Sequence, residues 1–142
     1  MAAPFDLPIP TTLDEIVTKN RELYQIGLAT QDEIDALRGE IDAPVGAEKD
    51  VMWDWRLIAI RDRPQLITQL ILLGDVVGRP TIRCTSEVLV ISPNKQRIRT
   101  RNSIYGLSRA GEGEPPQIHL LHLCSTLHRW GLGQIFGAIE VW

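Results

Sequence analysis

Residues 82–105, IRCTSEVLVISPNKQRIRTRNSIY, decide the fold that the sequence predicts. Two runs rich in Ile, Val and Arg, residues 82–91 and 96–105, flank the tetrapeptide Ser92-Pro93-Asn94-Lys95. Proline is favoured at the second position of a β-turn, and short runs of β-branched residues between turn signals are typical of strands. The segment therefore predicts an antiparallel β-hairpin.

Two more strands are predicted before this hairpin. Residues 51–58, VMWDWRLI, place Val, Trp, Trp and Leu at alternate positions, which favours a strand. Residues 65–77 are rich in Ile, Leu and Val and predict a long strand, with a helix over residues 65–73 as the alternative.

After the hairpin the pattern becomes helical. A helix is predicted from Pro116 to Trp130, because proline is favoured at a helix start and Gly131 at its end. Residues 135–141 are then predicted to form the last strand of the sheet.

The N-terminal part of the chain carries two helix-start signals. Residues 12–15 (TLDE) and 30–33 (TQDE) each have the capping-box pattern, and apolar residues follow both at helical spacing. We therefore expect a helical hairpin over residues 12–41. Three prolines in residues 1–11 predict an extended arm before it.

Together these elements predict one α+β domain over residues 12–142. The helical hairpin of residues 12–41 precedes a sheet plus helix over residues 51–142, with the C-terminal helix before the last strand. The sheet is expected to be antiparallel, with four to five strands, and curled. A small barrel is the alternative, because closing the sheet would protect its edges.

The composition is that of an ordinary globular protein. The chain has 142 residues, of which 44% are hydrophobic. Cys84 and Cys124 are too few and too far apart for a disulfide framework, so we expect reduced thiols, with one long-range disulfide as the alternative. The N-terminus lacks the features of a signal peptide, and no apolar run could span a bilayer. These observations predict a cytoplasmic protein with no membrane partner.

Charge is distributed unevenly along the chain. Residues 1–50 hold 11 acidic and 4 basic side chains, a net charge of −7, whereas residues 51–110 hold 10 basic and 4 acidic, a net charge of +6. The two segments either neutralise each other within one molecule or contact different partners.

The basic residues of the hairpin are the first candidate site. Lys95, Arg97, Arg99 and Arg101 are spaced by two, so on one strand they would form a row with steps of roughly 6–7 Å. Tyr105 has the same parity and would stack on a base beside the row. This pattern predicts contact with a phosphate backbone or an acidic protein. A charged outer sheet face that protects an edge is the structural alternative.

Acidic and aromatic residues form a second candidate surface, for a protein partner. Asp32, Glu33 and Asp35 give the second predicted helix an acidic face, for which simple solvation is the alternative. Trp53 and Trp55 are two residues apart and would point to one side of a strand, either into the core or outward as a protein-binding hot spot.

The histidines of the C-terminal helix are a third and weaker candidate. His119 and His122 share one helix face, and Cys124 and His128 share another. Metal ligands must converge, so we expect a solvated face rather than a metal site, with His119 and His122 as the residues of a metal site if one exists. A Cys124–His128 catalytic dyad is disfavoured by its place in mid-helix.

Two groups of residues carry a resemblance to a known family. The first is Gly78-Arg79-Pro80, Thr85-Ser86-x-Val88-Leu89 and Arg99-Thr100-x-Asn102-Ser103-x-Tyr105-x-Leu107, and the second is His122-Leu123-Cys124-x-x-Leu127-x-x-Trp130-Gly131. Over about residues 66–137 the chain resembles small uncharacterised proteins of alphaproteobacteria and of their plasmids and phages. The resemblance implies a bacterial or mobile-element source and no particular activity.

The function predicted from these patterns is that of a non-catalytic binding module in a bacterial cytoplasm. It would contact nucleic acid or an acidic protein surface through the basic hairpin, and a protein partner or a second copy of the chain through its N-terminal helices. One alternative is a phage- or plasmid-encoded inhibitor that binds a host protein through the acidic helices, and another is a small metal-dependent enzyme. No cofactor is expected.

Overall fold

The computed structural model describes residues 9–141. The helical elements are a single 3-10 turn (Asp14–Ile16), α1 (Gln31–Asp35), α2 (Gln117–Arg129) and α3 (Gly133–Phe136). The strands are β1 (Tyr24–Leu28), β2 (Asp50–Asp62), β3 (Ile67–Val76), β4 (Ile82–Cys84), β5 (Val88–Ile91), β6 (Arg97–Thr100) and β7 (Ile104–Leu107).

The seven strands form one open, mostly antiparallel sheet. Its main path has the order β4-β3-β2-β7-β6-β5. Strand β2 is thirteen residues long and pairs with β3 along one edge. Along the other edge its first residues pair in parallel with β7, and Ile58–Asp62 pair with β1. The length of β2 therefore lets two strands pair with the same edge, one after the other.

The central strands β2 and β3 are buried on both faces. Side chains alternate between the faces of a strand, so the run Leu70–Leu73 is divided between two apolar clusters. Ile71 and Leu73 pack with α2 in a first cluster, and Leu70 and Leu72 pack with β5, β6 and β7 in a second cluster. A strand segment buried on both faces has a continuous apolar sequence, which explains why Leu70–Leu73 lack polar alternation, whereas the first residues of β3 are exposed.

A β-bulge interrupts β2 where it approaches α2. Trp53 pairs with Asp75 and Arg56 pairs with Leu73, so Asp54 and Trp55 together lie opposite the single residue Gly74. Asp54 has a left-handed φ of 47°, a conformation that aspartate tolerates better than most residues. The extra residue shifts the alternation of side chains between the faces of β2.

The predicted N-terminal helical hairpin of residues 12–41 is wrong. Thr12 Oγ1 accepts from Glu15 N at 3.3 Å, as in a capping box, but Val17 is already extended and β1 follows. Leu13, Ile16 and Val17 are buried in the first cluster. Short isolated helices are marginal in water, so apolar burial and the pairing of β1 with β2 outweigh local helix propensity.

The second capping box is confirmed, but the helix that it starts is short. Thr30 Oγ1 accepts from Glu33 N, and Glu33 Oε1 accepts from Thr30 N. Helix α1 ends at Asp35 rather than near residue 41. The next residues bond to β5 instead, because Ile91 N donates to the Leu37 carbonyl and Gly39 N to the Ile91 carbonyl, both at 2.9 Å. These bonds satisfy part of the edge of β5.

The predicted curled sheet of four to five strands, or small barrel, is also wrong, because the structure has seven strands in an open sheet. Two predicted strands are each divided by a hydroxyl side chain that bonds to the backbone. Thr85 Oγ1 accepts from Leu72 N at 3.1 Å and separates β4 from β5. Thr100 Oγ1 accepts from Ser103 N at 3.2 Å and separates β6 from β7.

The C-terminal helix is confirmed as α2, and residues 65–77 form strand β3 rather than a helix. The last strand predicted over residues 135–141 is wrong, because α3 occupies its first part and ends at Gly137, whose φ is 68°. Of the predicted arm over residues 1–11, residues 1–8 lie outside the described part of the chain. No helix within residues 9–141 combines the length and apolarity needed to cross a bilayer.

One ion pair fastens α1 to the sheet and makes stability depend on pH. Arg61 donates from Nη2 to Glu33 Oε1 at 2.7 Å and from Nε to Glu33 Oε2 at 2.9 Å. This pairing lowers the pKa of Glu33 from 4.5 to about 2. Because the folded-state pKa lies below the unfolded value, the pair stabilises the fold above about pH 4.5 and the gain is lost as pH falls toward 2.

We expect Glu33→Gln to lower the free energy of unfolding at pH 7 by about 2 kcal/mol, since the pair is mostly buried and bidentate. The difference from the wild type should shrink between pH 4.5 and pH 2, as measured by urea unfolding at several pH values. The matched control is Asp35→Asn, which removes an exposed pair with Arg38 and should cost less than about 0.5 kcal/mol. Equal losses for both variants at pH 7 would contradict the prediction.

Candidate functional site

The predicted basic row does not form one uninterrupted line on a strand. Arg97 and Arg99 lie on β6, whereas Lys95 and Arg101 lie outside it. Arg97 forms a 2.8 Å ion pair with Glu48, and Arg101 forms one of the same length with Glu87. Exposed Lys95 and half-buried Arg99 form no ion pair with a described residue.

Tyr105 lies on β7 and belongs to the second cluster, with only 4% of its surface exposed. Its ring is therefore a packing surface in this structure, and the guanidinium carbon of Arg83 lies 6.0 Å from the ring centroid. The stacking role that the sequence predicts for Tyr105 stays a prediction.

The acidic N-terminal third and the basic middle of the chain do pair within the molecule. Four ion pairs link them, namely Arg61–Glu33, Arg79–Asp50, Arg83–Asp50 and Arg97–Glu48. On α1, Glu33 is thus engaged with the sheet, while Asp32 and Asp35 are exposed. These pairs use three of the 11 acidic and four of the 10 basic side chains, so part of the uneven charge stabilises the fold.

The two tryptophans of β2 lie in different surroundings because Trp53 precedes the bulge and Trp55 is part of it. Trp53 is 47% exposed. Trp55 packs against the second cluster, and its Nε1 donates to the Ser108 carbonyl at 3.1 Å. Of these two tryptophans Trp53 is the more exposed aromatic surface, and its role in binding a protein stays a prediction.

A basic pocket of about 480 Å³ lies between β4, the turn before β7, the start of β2 and the second half of α2. We call it the β4–α2 pocket. Its charged lining consists of Lys49, Arg83 and Arg129, and no acidic residue lines it within the described chain. Polar side chains supply further hydrogen-bonding groups: Thr81, Thr85, Ser86, Asn102, Ser103 and Thr126.

Helix α2 contributes one wall of this pocket. His122, Thr126 and Arg129 follow each other at helical spacing and all line it. Arg129 Nη2 donates to Thr126 Oγ1 at 3.1 Å, which orients the guanidinium. The sequence predicts a solvated face for this side of α2, but His119 and Thr126 are each only 1% exposed. The expectation is wrong for these two residues, because β3 and β4 pack against this side of the helix, whereas His122 is half-buried and Arg129 is exposed.

Strand β4 contributes Arg83 to the opposite wall. Arg83 Nη2 lies 2.9 Å from Asp50 Oδ2, and Arg79 lies 3.6 Å from the other oxygen of the same carboxylate. The Asp50 side chain is 4% exposed, so it lies behind the pocket and holds Arg83 in place. Within residues 9–141, Lys49 and Arg129 form no ion pair, and their charges are not neutralised by a carboxylate.

The position of His122 in the pocket lowers its pKa. Burial lowers the pKa of His122, and the positive charges of Arg129, His119 and Arg83 lower it further. A neutral imidazole at pH 7 follows. Burial disfavours a charge of either sign, so it is the cationic neighbours Arg129 and Arg83 that favour a negatively charged ligand here.

Cysteine chemistry is disfavoured in and near the pocket. Burial raises the pKa of Cys84 to about 12 and that of Cys124 to about 11, so both stay protonated at neutral pH. Both are free thiols. His128 Nε2 donates to the Ala138 carbonyl at 2.8 Å, and the raised pKa of Cys124 disfavours the Cys124–His128 dyad.

Comparison with known proteins identifies no relative from which a role could be transferred. No protein-family model matches the chain, and neither the search of curated proteins nor the search of solved structures found a significant match. The motif resemblance over about residues 66–137 stays a prediction. The site must therefore be interpreted from its own geometry.

Sequence reasoning missed the β4–α2 pocket because its cations come from three distant segments. Lys49 precedes β2, Arg83 is on β4 and Arg129 ends α2. The excess of basic residues in 51–110 pointed to the right region of the chain, and Asn102 and Ser103 connect the pocket to the predicted hairpin. No local spacing marks Lys49 or Arg129.

Proposed function

We propose that the chain is a non-catalytic binding module whose β4–α2 pocket binds the phosphate of a nucleotide, either free or at the end of a single-stranded nucleic acid. The observation that carries this proposal is the set of three cations, Lys49, Arg83 and Arg129, around a pocket whose described lining has no carboxylate. The volume lies in the range of small-molecule sites.

The chemistry of the lining supports phosphate over a simple carboxylate. Arginine presents a planar fork of donors that suits phosphate oxygens, and lysine adds a point charge. Arg83 and Arg129 are both already oriented, by Asp50 and Thr126 respectively. Hydroxyl and amide groups on the loops and on α2 supply donors for the remaining phosphate oxygens.

An aromatic surface at the rim supports a nucleotide over inorganic phosphate. Trp130 lines the pocket directly after Arg129 and is 41% exposed. Stacking of a base on an aromatic ring contributes about 1–3 kcal/mol and is tolerant of sequence. Trp130 would take the role that the sequence assigned to Tyr105.

The pocket also supports nucleotide binding better than the hairpin row does. Arg97 and Arg101 are paired with glutamates, and freeing them would require breaking those contacts. The overall charge of −3 opposes non-specific attraction to nucleic acid, so a local cluster of cations in one pocket is favoured over an extended basic surface.

The free thiols of Cys84 and Cys124 support the expectation that the chain works in a reducing compartment such as a bacterial cytoplasm. This location belongs to the proposal, as does the absence of a catalytic step.

Binding is tested by fluorescence anisotropy with a short single-stranded oligonucleotide carrying a 5′-phosphate, at low and near-physiological salt. We expect Arg129→Gln to weaken binding about tenfold and to reduce the salt dependence, since one phosphate contact is lost. Competition with the unphosphorylated oligonucleotide, with a mononucleotide and with inorganic phosphate distinguishes a strand end from a free nucleotide.

The matched control is Arg63→Gln, which removes the same charge at an exposed position outside the pocket. It should leave affinity within about twofold of the wild type, because an exposed distant charge is screened. No binding at low salt, or equal losses of affinity for Arg129→Gln and Arg63→Gln, would overturn the proposal that the β4–α2 pocket is the binding site. Loss of binding in Arg99→Gln with none in Arg129→Gln would return the site to the hairpin row.

A further inference from the structure

Three side chains with metal-ligating groups meet where the bulge of β2 faces α2. Asp54 is in the bulge, Asp75 lies on β3, and His119 is in the first turn of α2. One potential ligand atom from each lies within 4.8 Å of those of the other two. Segments far apart in sequence thus bring two carboxylates and an imidazole to one point, outside the lining of the β4–α2 pocket.

The spacing within this group suits a common cation. His119 Nε2 lies 3.0 Å from Asp75 Oδ1. For metal–ligand bonds of about 2.0–2.2 Å, neighbouring ligand atoms on one ion are separated by roughly 3 Å. The two atoms are therefore placed as well for sharing an ion as for a direct hydrogen bond.

His119 provides a second, independent observation. Its side chain is 1% exposed, and its Nδ1 has no hydrogen-bond partner within the described residues. An imidazole that is buried with one nitrogen unsatisfied is unfavourable for folding alone, and such groups call for a functional explanation. The buried imidazole faces the carboxylates through Nε2, which lies 3.0 Å from Asp75 Oδ1, and this single contact leaves its other ring nitrogen unsatisfied.

Asp54 is held in an unfavourable backbone conformation. Its backbone has a left-handed φ of 47°, and strained residues of this kind cluster at functional sites. The nearby cation Arg56 does not satisfy it well, because Arg56 Nη1 lies 3.4 Å from Asp54 Oδ1. The short bonds of Arg56 go instead to the carbonyls of Glu112 and Gly113, at 2.9 and 2.8 Å.

We propose that Asp54, Asp75 and His119 bind a divalent metal ion of the Mn²⁺ type. Two carboxylates and one imidazole form a donor set of mostly hard oxygen ligands. Such a set suits Mn²⁺, whereas structural zinc sites are typically rich in thiolates. Even with Arg56 beside them, the two carboxylates leave a net negative charge for the cation. This inference is independent of nucleotide binding in the β4–α2 pocket.

The test titrates Mn²⁺ alone into the full chain and follows the electron paramagnetic resonance signal of free Mn²⁺. We expect one ion per chain, and a loss of affinity of at least about 100-fold in Asp54→Asn, since one ligand is removed. Asparagine tolerates a left-handed φ, so this variant should preserve the bulge. Asp75→Asn is the second variant and should lose affinity to a similar extent.

The matched control is Asp62→Asn, which removes a carboxylate at the other end of β2 and should bind Mn²⁺ like the wild type. Circular dichroism checks that each variant is folded, and Mn²⁺ should raise the melting temperature of the wild type and of Asp62→Asn but not of Asp54→Asn. No bound Mn²⁺ in the wild type, or equal affinity in the wild type and Asp54→Asn, would overturn the proposal and leave His119–Asp75 as a structural hydrogen bond.

Discussion

Leu72→Ala and Leu73→Ala are each expected to lower the free energy of unfolding by about 3 kcal/mol, although the two side chains point to opposite faces of β3. Both leucines are fully buried. Leu73 packs in the first cluster, against α2, and Leu72 in the second cluster, with side chains of β5 and β6. Each substitution removes buried methyl groups and leaves a cavity, and neither face offers solvent to fill it.

Urea unfolding followed by circular dichroism measures both losses on one scale. The matched control is Leu89→Ala on β5, where the leucine is 42% exposed, and we expect it to cost less than about 1 kcal/mol. A large loss for one central leucine and a control-like loss for the other would show that one face of β3 is open to solvent, and the double-sided core would be wrong.

Gly74→Ala is expected to lower the free energy of unfolding by about 3 kcal/mol, because the bulge of β2 folds directly over this residue. A Cβ at Gly74 would lie 2.8 Å from the Cα of Trp55 and 3.1 Å from the Trp53 carbonyl oxygen. Both contacts are with backbone, which cannot rotate away. The strand pairing opposite Asp54 must therefore shift to accommodate a methyl group.

The control for this prediction is Gly106→Ala on β7. There a Cβ would meet the Val51 side chain at 3.1 Å and the Glu48 side chain at 3.5 Å. Val51 is 41% exposed and can move, so we expect a cost below about 1 kcal/mol. Thermal or urea unfolding of both variants makes the comparison, and a Gly74→Ala variant as stable as Gly106→Ala would contradict the tight approach of the two strands.

The bulge has consequences for function as well as for stability. It places Asp54 beside Asp75 and His119, and it separates the surroundings of Trp53 and Trp55. The two proposed sites both use α2, with His119 in its first turn and His122, Thr126 and Arg129 farther along. Helix α2 is thus the element from which both the metal ion and the phosphate would be held.

Patterns that depend on nearest neighbours in the sequence were predicted well. The capping box at Thr30 and Glu33, helix α2 with its flanking proline and glycine, and the apolar strand β3 all follow from local signals. The same reasoning failed for residues 12–28, where one helical start signal led to an extended segment. The preference of these residues for helix over strand is worth less free energy than the apolar burial and strand pairing that they gain in the extended conformation.

The candidate sites were only partly accessible to the same reasoning. His119 and His122 were recognised by residue type, but their roles differ because one faces Asp75 and the other lines the β4–α2 pocket. The basic character of residues 51–110 was evident, yet four of its ten cations pair with the acidic segment before it. For these four the acidic partner is more than 20 residues away in the sequence.

Residue patterns alone specify the apolar strands, the main helix and the uneven charge. The number of strands, the position of the bulge, and the meeting of Lys49, Arg83 and Arg129 in one pocket depend on the tertiary fold, which also leaves both thiols free. Periodicity and capping act over a few residues, whereas strand register and ion pairing join segments that are distant in the chain. A site assembled from such segments leaves no spacing to find in the sequence.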